Sequence, residues 1–198
     1  MDKFDIQLKV VLLGDPAVGK SSILKRFVVG DCSMDSENTV GAKYMGKILN
    51  VNDTVVKLNI WDTAGQERYQ SFSKLYCRDA GAAILVYDVS DPSSFVGMKK
   101  WYENMSQDVL PIDCKIFAVG NKSDLIEGPC KFRDIVSEYA SQINAIEYIV
   151  SAKSGNGIED LFKCVGESAL ERVRLPRKDS VYLTRELTKK RPNKKKCC

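Results

Sequence analysis

The chain has 198 residues, of which 44% are apolar and 28% are charged, and these values fit one globular domain with a substantial core. It contains no histidine, which excludes a Ser-His-Asp or Cys-His catalytic site and any His-ligated metal. The seven cysteines include no C-x-x-C pair, so a reducing compartment fits better than a disulfide scaffold or a zinc ribbon. No apolar run approaches the roughly 18 residues of a membrane span, and the polar N-terminus gives no secretory signal.

The net charge of +4 conceals two regions of opposite sign. Residues 171–198 contain eleven basic and three acidic side chains, a net +8, which leaves −4 for the first 170 residues. A basic tail suits either a nucleic acid or an anionic membrane, and charge alone does not choose between them. Because periodicity fades after Pro176, we expect a globular domain over residues 1–174 and a flexible, disordered tail over 175–198.

Apolar runs that predict strands alternate along the chain with stretches that predict helices. Strands are predicted at 10–13, 43–51, 54–61, 82–87, 115–119 and 146–150. Helices are predicted at 20–29, 92–108, 132–142 and 158–172, the second of them beginning at Pro92. A tight turn at Asn52-Asp53 is expected to join the second and third strands. This alternation is typical of an α/β fold with a largely parallel sheet.

A phosphate-binding motif lies between the first predicted strand and the first predicted helix. It reads Gly14-Asp15-Pro16-Ala17-Val18-Gly19-Lys20-Ser21 and matches G-x-x-x-x-G-K-S. Its glycines let the backbone turn tightly, so that N–H groups point at phosphate oxygens, and the following helix adds the positive end of its dipole. Lys20 is expected to reach the β- and γ-phosphates, Ser21 to bind Mg²⁺, and Ser22 to complete the phosphate site.

The phosphate-binding motif does not by itself name the reaction. An ordinary strand–helix turn that ends in Lys-Ser is the alternative interpretation of these residues. If the motif does bind phosphate, it fits an ATPase, a small-molecule kinase or a GTPase equally well. The remaining motifs must therefore decide between these classes.

A second motif, Asn121-Lys122-Ser123-Asp124, follows a predicted strand at the end where open α/β sheets bind ligands. The Asp124 carboxylate can accept two adjacent hydrogen bonds, which guanine offers through N1–H and its 2-amino group. Adenine presents an acceptor at N1, and a site built to bond two donors rejects it strongly. Lys122 is expected to lie along the face of the base. An ordinary polar turn is the alternative interpretation.

A third motif, Asp62-Thr63-Ala64-Gly65-Gln66, follows the strand predicted at 54–61. Asp62 is placed to bind Mg²⁺ through water, and the Gly65 N–H can approach a γ-phosphate. Gln66 can orient the attacking water without acting as a base, which suits a chain without histidine. A polar strand end followed by a turn is the alternative interpretation.

In this order the three motifs resemble the Ras-like small GTPases, from about Lys9 to Arg172. The resemblance implies a P-loop NTPase fold with a six-stranded, mostly parallel sheet and five flanking helices, which binds GTP or GDP with Mg²⁺. It also implies that Thr39 is the switch threonine, which closes over Mg²⁺ and the γ-phosphate. The last guanine-contacting loop would be Ser151-Ala152-Lys153, with the Ala152 N–H meeting the base oxygen.

The resemblance also implies roles for individual residues. The catalytic residues would be Lys20, Thr39 and Gln66. The metal ligands would be Ser21, Thr39 and Asp62. GTP would hold two switch segments, at about 31–44 and 63–78, and hydrolysis would release them.

Further segments are similar to the Rab branch of that family. They are Leu58-Asn59-Ile60-Trp61-Asp62, Glu67-Arg68-Tyr69 and Leu85-Val86-Tyr87-Asp88. The segments Tyr69-Gln70-Ser71, Ala82-Ala83-Ile84 and 139–146 are similar to the endosomal Rabs. The resemblance implies a monomer on the cytoplasmic face of intracellular membranes that cycles with the cytosol, and the likeness to the endosomal Rabs implies endosomal membranes. Its implied partners are an exchange factor, a GTPase-activating protein, a GDP-dissociation inhibitor, a prenylation escort and effectors.

The chain ends in Cys197-Cys198, directly after three lysines. This ending resembles the Rab signal for two geranylgeranyl groups, and two lipids anchor a protein stably where one binds marginally. Basic residues near an anionic leaflet add about 1 kcal/mol each. The tail is therefore expected to bind a membrane and no nucleic acid polymer. A disordered basic tail with two spare thiols is the alternative interpretation.

Two positions depart from the Rab pattern. Cys32 stands where Rabs usually have an aromatic ring on the guanine edge, so we expect faster nucleotide dissociation. Lys43 replaces an acidic residue on the surface that effectors touch, so we expect an unusual set of effectors. Two functions of other classes stay open, namely a P-loop ATPase or kinase and a pseudo-GTPase that holds nucleotide without turnover. Gln66 and Thr39 argue against the pseudo-GTPase, while Cys32 favours it.

Overall fold

The structure is a computed structural model that describes residues 3–30, 41–65, 70–107, 109–128 and 130–174. Its strands are β1 (Ile6–Leu13), β2 (Ala42–Val51), β3 (Thr54–Thr63), β4 (Ala82–Asp88), β5 (Lys115–Asn121) and β6 (Ile146–Ile149). Its α-helices are α1 (Lys20–Val29), α2 (Gln70–Cys77), α3 (Pro92–Ser106), α4 (Arg133–Gln142) and α5 (Ile158–Arg174). None of the helices in these ranges is both long and apolar enough to span a membrane.

The six strands form one sheet in the order β2-β3-β1-β4-β5-β6. Only the β2–β3 pair is antiparallel, and β3, β1, β4, β5 and β6 run parallel to one another. The predicted turn between β2 and β3 is confirmed, because Asn52 and Asp53 adopt φ values of 49° and 62°. Positive φ at both central residues is the geometry that matches the twist of a two-residue hairpin. The predicted α/β fold with a six-stranded, mostly parallel sheet is confirmed.

The core forms two layers, one on each face of the sheet. Alternate residues of β1 point to opposite faces, as the pleat of a strand requires, so Val10 and Leu12 lie in one layer and Val11 and Leu13 in the other. The first layer packs against α1 and α5, and the second against α3 and α4. Because helices cover both faces, every residue of the central strand β4 is buried, and the polar loops are left at the strand ends.

The predicted elements differ from the structure mainly at their ends and in one missing helix. β1 begins at Ile6, four residues before the predicted start at Val10. The prediction missed these residues because the exposed, polar Gln7 interrupts the apolar run. α2 was not predicted, since it has eight residues and Leu75 within it is 57% exposed. α3 begins at Pro92 as predicted and ends at Ser106, whereas the predicted end at Asp108 lies outside the described residues.

Replacing Phe162 with alanine should destabilise the fold, because its ring is fully buried between α5 and α1. Its centroid lies 3.7 Å from that of Phe27, with the two rings nearly parallel. We expect Phe162→Ala to lower the free energy of unfolding by about 3–5 kcal/mol, measured by urea denaturation at fixed nucleotide and Mg²⁺ concentrations. The control Ile112→Ala, at a fully exposed side chain, should change it by about 0.5 kcal/mol or less. A loss below about 1 kcal/mol for Phe162→Ala would contradict this packing.

Candidate nucleotide site

Four loops meet at the carboxyl ends of the parallel strands. The loop after β1 holds the phosphate-binding motif, and the segment after β3 begins with Ala64 and Gly65. The loop after β5 holds residues 122–124, and the loop after β6 holds residues 151–153. Because these strands are parallel neighbours, the motifs converge on one edge of the sheet, where open α/β folds bind ligands.

The phosphate-binding motif wraps around the Lys20 ammonium group. Its Nζ donates hydrogen bonds to the carbonyl oxygens of Gly14 and Asp15, both at 2.8 Å. Burial lowers the pKa of Lys20 to about 8, although the nearby carboxylates of Asp62 and Asp15 oppose the shift. Gly19, at the N-cap of α1, has a φ of 96° and offers no side chain to the first turn. A buried cation beside a helix N-terminus is an arrangement that binds phosphate.

Asp62 and Ser21 form a pair that fits a divalent cation. The Ser21 hydroxyl donates to Asp62 Oδ2 at 2.5 Å, and Asp62 is 1% exposed. Asp62 Oδ1 is buried without a hydrogen-bond partner, the one such side-chain atom in the described ranges. Burial raises the pKa of Asp62, and this increase is partly offset by the hydrogen bond from Ser21 and by the positive charges of Lys20 and Lys43. A buried carboxylate oxygen without a partner, beside a hydroxyl, suits Mg²⁺, which prefers oxygen ligands.

The segment after Asp62 lies directly against the phosphate-binding motif. Thr63 Oγ1 donates to the Leu12 carbonyl at 2.7 Å, which fixes the end of β3 to β1. A Cβ on Gly65 would lie 2.5 Å from the Asp15 carbonyl carbon and from the Pro16 nitrogen, so only glycine fits this approach. The backbone of Gly65 is therefore placed where it can meet a group that the motif holds.

The Asn121 side chain joins the phosphate-binding motif to the loop after β6. Its Nδ2 donates to the Val18 carbonyl at 2.9 Å, and its Oδ1 accepts from the Ala152 N–H at 3.0 Å. A Cβ on Gly19 would lie 2.2 Å from Nδ2, so the close approach needs glycine there. The Asn121 amide, which the sequence assigns to the nucleotide site, thus pairs with backbone groups of two other loops at that site.

Asp124 is oriented by the loop after β6. Its Oδ1 accepts from the Ser151 hydroxyl at 2.5 Å, and its Oδ2 lies 3.9 Å from the Lys153 ammonium. Lys122 adopts a φ of 65° and its Nζ lies 2.7 Å from Asp88 Oδ2. These contacts bring Asp124 and residues 151–153, both of which the sequence assigns to base contacts, into one polar cluster.

Asp88 was missed by sequence reasoning. Although burial opposes it, hydrogen bonds from Lys122 and Ser90 lower the pKa of Asp88. With Lys122 it lines a cavity that Pro16 and Ala17 border on the other side. Its position as the last residue of β4, at the edge where the other motifs lie, is the signal that could have identified it.

Several predicted residues lie outside the described residues. They are Cys32, Thr39, Gln66, Cys197 and Cys198, and the tail 175–198 and much of the first switch segment lie outside as well. The other predicted site residues fall on the four loops above, on the first turn of α1, which holds Lys20, Ser21 and Ser22, and at the carboxyl ends of β3 and β5, which hold Asp62 and Asn121.

Comparison with known proteins agrees with this architecture. A model of the Ras family matches residues 9–171. The Ras-related protein Rab5A of Oryza sativa subsp. japonica is 39% identical over 163 residues, which are 82% of this chain and 80% of the relative. The Ras-related protein RABF2b of Arabidopsis thaliana is 40% identical over 157 residues, 79% of this chain and 78% of the relative. RABA1c of the same plant is 40% identical over 153 residues, 74% and 70% of the two chains.

The match covers every strand from β2 onward and all four loops that meet at the sheet edge. Members of the family bind GTP and GDP, generally with Mg²⁺, and act with regulators and effectors. This chain thus belongs to the Ras family and, within it, to the Rab-type small GTPases, which hydrolyse GTP and serve as switches in vesicle trafficking.

Proposed function

We propose that the loops at the sheet edge bind GTP and GDP through a guanine reader centred on Asp124. The observation that carries the proposal is the Asp124 carboxylate, held by Ser151 and Lys153 at the edge that the phosphate-binding motif shares. A carboxylate fixed in this way accepts from N1–H and the 2-amino group of guanine and faces a lone pair of adenine. This argues against the ATPase and kinase alternatives.

The phosphates would lie in the motif formed by residues 14–21, with Lys20 beside the β- and γ-phosphates. Ser21, Thr39 and Asp62 would hold Mg²⁺, which neutralises charge on the phosphate oxygens when it is bound. Asp62 Oδ1, buried without a partner among the described residues, supports this assignment. Gln66 would orient the attacking water. Hydrolysis is slow in this proposal, because a partner protein supplies the arginine that completes the site.

The hydrolytic switch would act from a membrane through its tail. Residues 1–174 form the GTPase domain in this proposal, and the lysine-rich segment before Cys197 and Cys198 reinforces two prenyl groups at an anionic leaflet. Relatives named Rab5A and RABF2b support an endosomal membrane. An exchange factor, a GTPase-activating protein, a GDP-dissociation inhibitor, a prenylation escort and effectors would be the partners. No relative and no described residue favours the pseudo-GTPase alternative.

Replacing Asp124 with asparagine should change the base that the site prefers. The amide keeps one acceptor and gains a donor, so it loses one bond to guanine and matches xanthine, which has a carbonyl in place of the 2-amino group. We expect Asp124→Asn to weaken GDP binding about 100-fold or more and to bind xanthosine diphosphate more tightly than the wild type does, measured by fluorescence titration. Glu138→Gln, at an exposed position on α4, should change neither affinity. Unchanged GDP affinity in Asp124→Asn would refute the guanine reader.

Replacing Gln66 with leucine should slow hydrolysis without weakening nucleotide binding. The leucine side chain cannot orient water, so the single-turnover rate of GTP hydrolysis should fall about tenfold or more while GTP affinity stays within about twofold. Gln142→Leu, on the exposed end of α4, is the matched control and should hydrolyse GTP at the wild-type rate. A wild-type chain with no hydrolysis, even with an activating protein, would instead support the pseudo-GTPase.

Replacing both terminal cysteines with serine should release the chain from membranes. Mass spectrometry of the native protein should find two isoprenoid groups, on Cys197 and Cys198, and the double variant should move to the soluble fraction. Single variants should bind marginally, since one lipid is a weak anchor. Cys114→Ser, within the globular domain, should leave the distribution unchanged. Unmodified terminal cysteines in membrane-derived protein would contradict the anchor.

A further inference from the structure

The side chain of Asp15 leaves the phosphate-binding motif and lies against α3, a helix that contributes no residue to the motifs of the nucleotide site. The α3 residue that it contacts is Gly97, where a Cβ would overlap the carboxyl carbon and both carboxylate oxygens of Asp15. Gly97 lies in the interior of α3, where glycine forms helix less readily than alanine does. The glycine leaves a notch in the helix surface, and the Asp15 carboxylate fills this notch.

Trp101 holds the carboxylate from the next turn of the same helix. It lies four residues after Gly97, which places both residues on one face of α3. Its indole Nε1–H donates to Asp15 Oδ1 at 3.1 Å, and Trp101 is only 4% exposed. An indole has one donor and no acceptor, and a buried indole N–H that lacks a partner is costly. The Asp15 carboxylate therefore satisfies a group that the core would otherwise leave unpaired.

The backbone of Asp15 contacts the residues that the proposed phosphate site needs. Its carbonyl accepts from Lys20 Nζ at 2.8 Å, and a Cβ on Gly65 would lie 2.5 Å from the carbonyl carbon. The next residue is Pro16, whose own φ is fixed by its ring and which restricts the conformation of the residue before it. Because the carboxylate and the carbonyl belong to one stiff residue, moving the carboxylate off α3 should move the carbonyl that holds Lys20.

We propose that Trp101 is a positioning residue of the phosphate site, whose N–H holds the Asp15 carboxylate on α3 and so fixes the carbonyl that orients Lys20. The proposal rests on the proposed function, because it assumes that Lys20 binds the phosphates. It makes α3 a support of the phosphate-binding motif, in addition to β1 and α1, which flank the motif in the sequence. Trp101 acts through Asp15 here, so its loss should disturb the environment of the phosphates.

The test observes the phosphates of GDP bound to the full chain at a fixed Mg²⁺ concentration. The ³¹P chemical shift of the β-phosphate reports its surroundings, and fluorescence exchange gives the dissociation rate of GDP. In Trp101→Phe, which keeps an aromatic ring and removes the N–H, we expect the β-phosphate resonance to shift and GDP to dissociate roughly fivefold faster. Tyr102→Phe, which removes a polar group from the next residue of α3, is the matched control and should behave as wild type.

A second variant breaks the same contact and keeps both of its partners. In Gly97→Ala the new methyl group displaces the Asp15 carboxylate from α3, so the β-phosphate resonance should shift and GDP should again dissociate faster. Alanine favours helix more than glycine, so a weakened α3 would not explain this result. Gly97→Ala also serves as the reporter if Trp101→Phe does not fold.

A pair of variants at Asp15 separates the contact from the charge. Asp15→Asn and Asp15→Ala both remove the negative charge, but only the asparagine keeps an oxygen that accepts from the Trp101 indole. We therefore expect Asp15→Ala to release GDP faster than Asp15→Asn does. Equal rates in the two variants would contradict a role for the hydrogen bond.

A purely structural tryptophan would give a different result. Val136→Ala, a truncation in the core on α4, should lower the free energy of unfolding and leave the β-phosphate resonance and the GDP dissociation rate unchanged. If Trp101→Phe and Gly97→Ala also keep the wild-type resonance and rate, whatever their stability, the positioning role is overturned. Lys20→Met distinguishes this outcome from failure of the proposed function. If Lys20→Met binds GDP as tightly as the wild type does, the phosphate site itself is refuted.

Discussion

The buried amide of Asn121 is the constraint on which the nucleotide site depends. Both of its polar ends are paired with backbone groups, Nδ2 with the Val18 carbonyl and Oδ1 with the Ala152 N–H, although the side chain is 1% exposed. A buried amide that lost one partner would leave an unsatisfied group, which costs about 1–3 kcal/mol. The phosphate-binding motif and the loop after β6 are therefore held in one arrangement, even though the chain brings them together from distant positions.

The same edge of the sheet holds two charges that burial disfavours. Burial lowers the pKa of Lys20 and raises the pKa of Asp62, so each charged form is destabilised by loss of water. Their nearby opposite charges offset only part of this cost. A bound polyphosphate and a divalent cation would each supply the missing partner, which means that ligand binding should stabilise the folded domain as well as occupy the site. In a site of this kind, the buried charges lower the folding stability of the ligand-free domain and raise its affinity for the ligand.

The sequence predicted the strands and site residues that are indicated by local patterns, namely apolar runs and short motifs. The apolar runs located all six strands, because helices cover both faces of the sheet, and they failed at Ile6–Lys9, where polar Gln7 breaks the run. The short helix α2 was not predicted, because its eight residues are too few to show a clear helical period of apolar side chains. The motifs located Lys20, Asp62 and Asp124, since each lies at or after the carboxyl end of a strand that has a parallel partner. The hydrogen bonds that Arg26 donates to the loop after β6 could not be predicted, because their acceptors are backbone carbonyls 126 and 127 residues away. Every residue has a backbone carbonyl, so the type of side chain does not indicate which one is used.

Gly30 and Gly41 lie on either side of residues 31–40, and the carbonyl of each accepts a hydrogen bond from a different part of the structure. The Gly30 carbonyl accepts from Arg26, which also donates to the Ala152 and Lys153 carbonyls in the loop after β6. The Gly41 carbonyl accepts from the Ala64 N–H at 2.8 Å, two residues from Asp62 and beside Gly65. The described residues on either side of 31–40 are therefore fixed to different loops of the proposed site. Gly30 is joined through Arg26 to the loop after β6, whereas Gly41 is joined to the segment after β3 that contains Gly65.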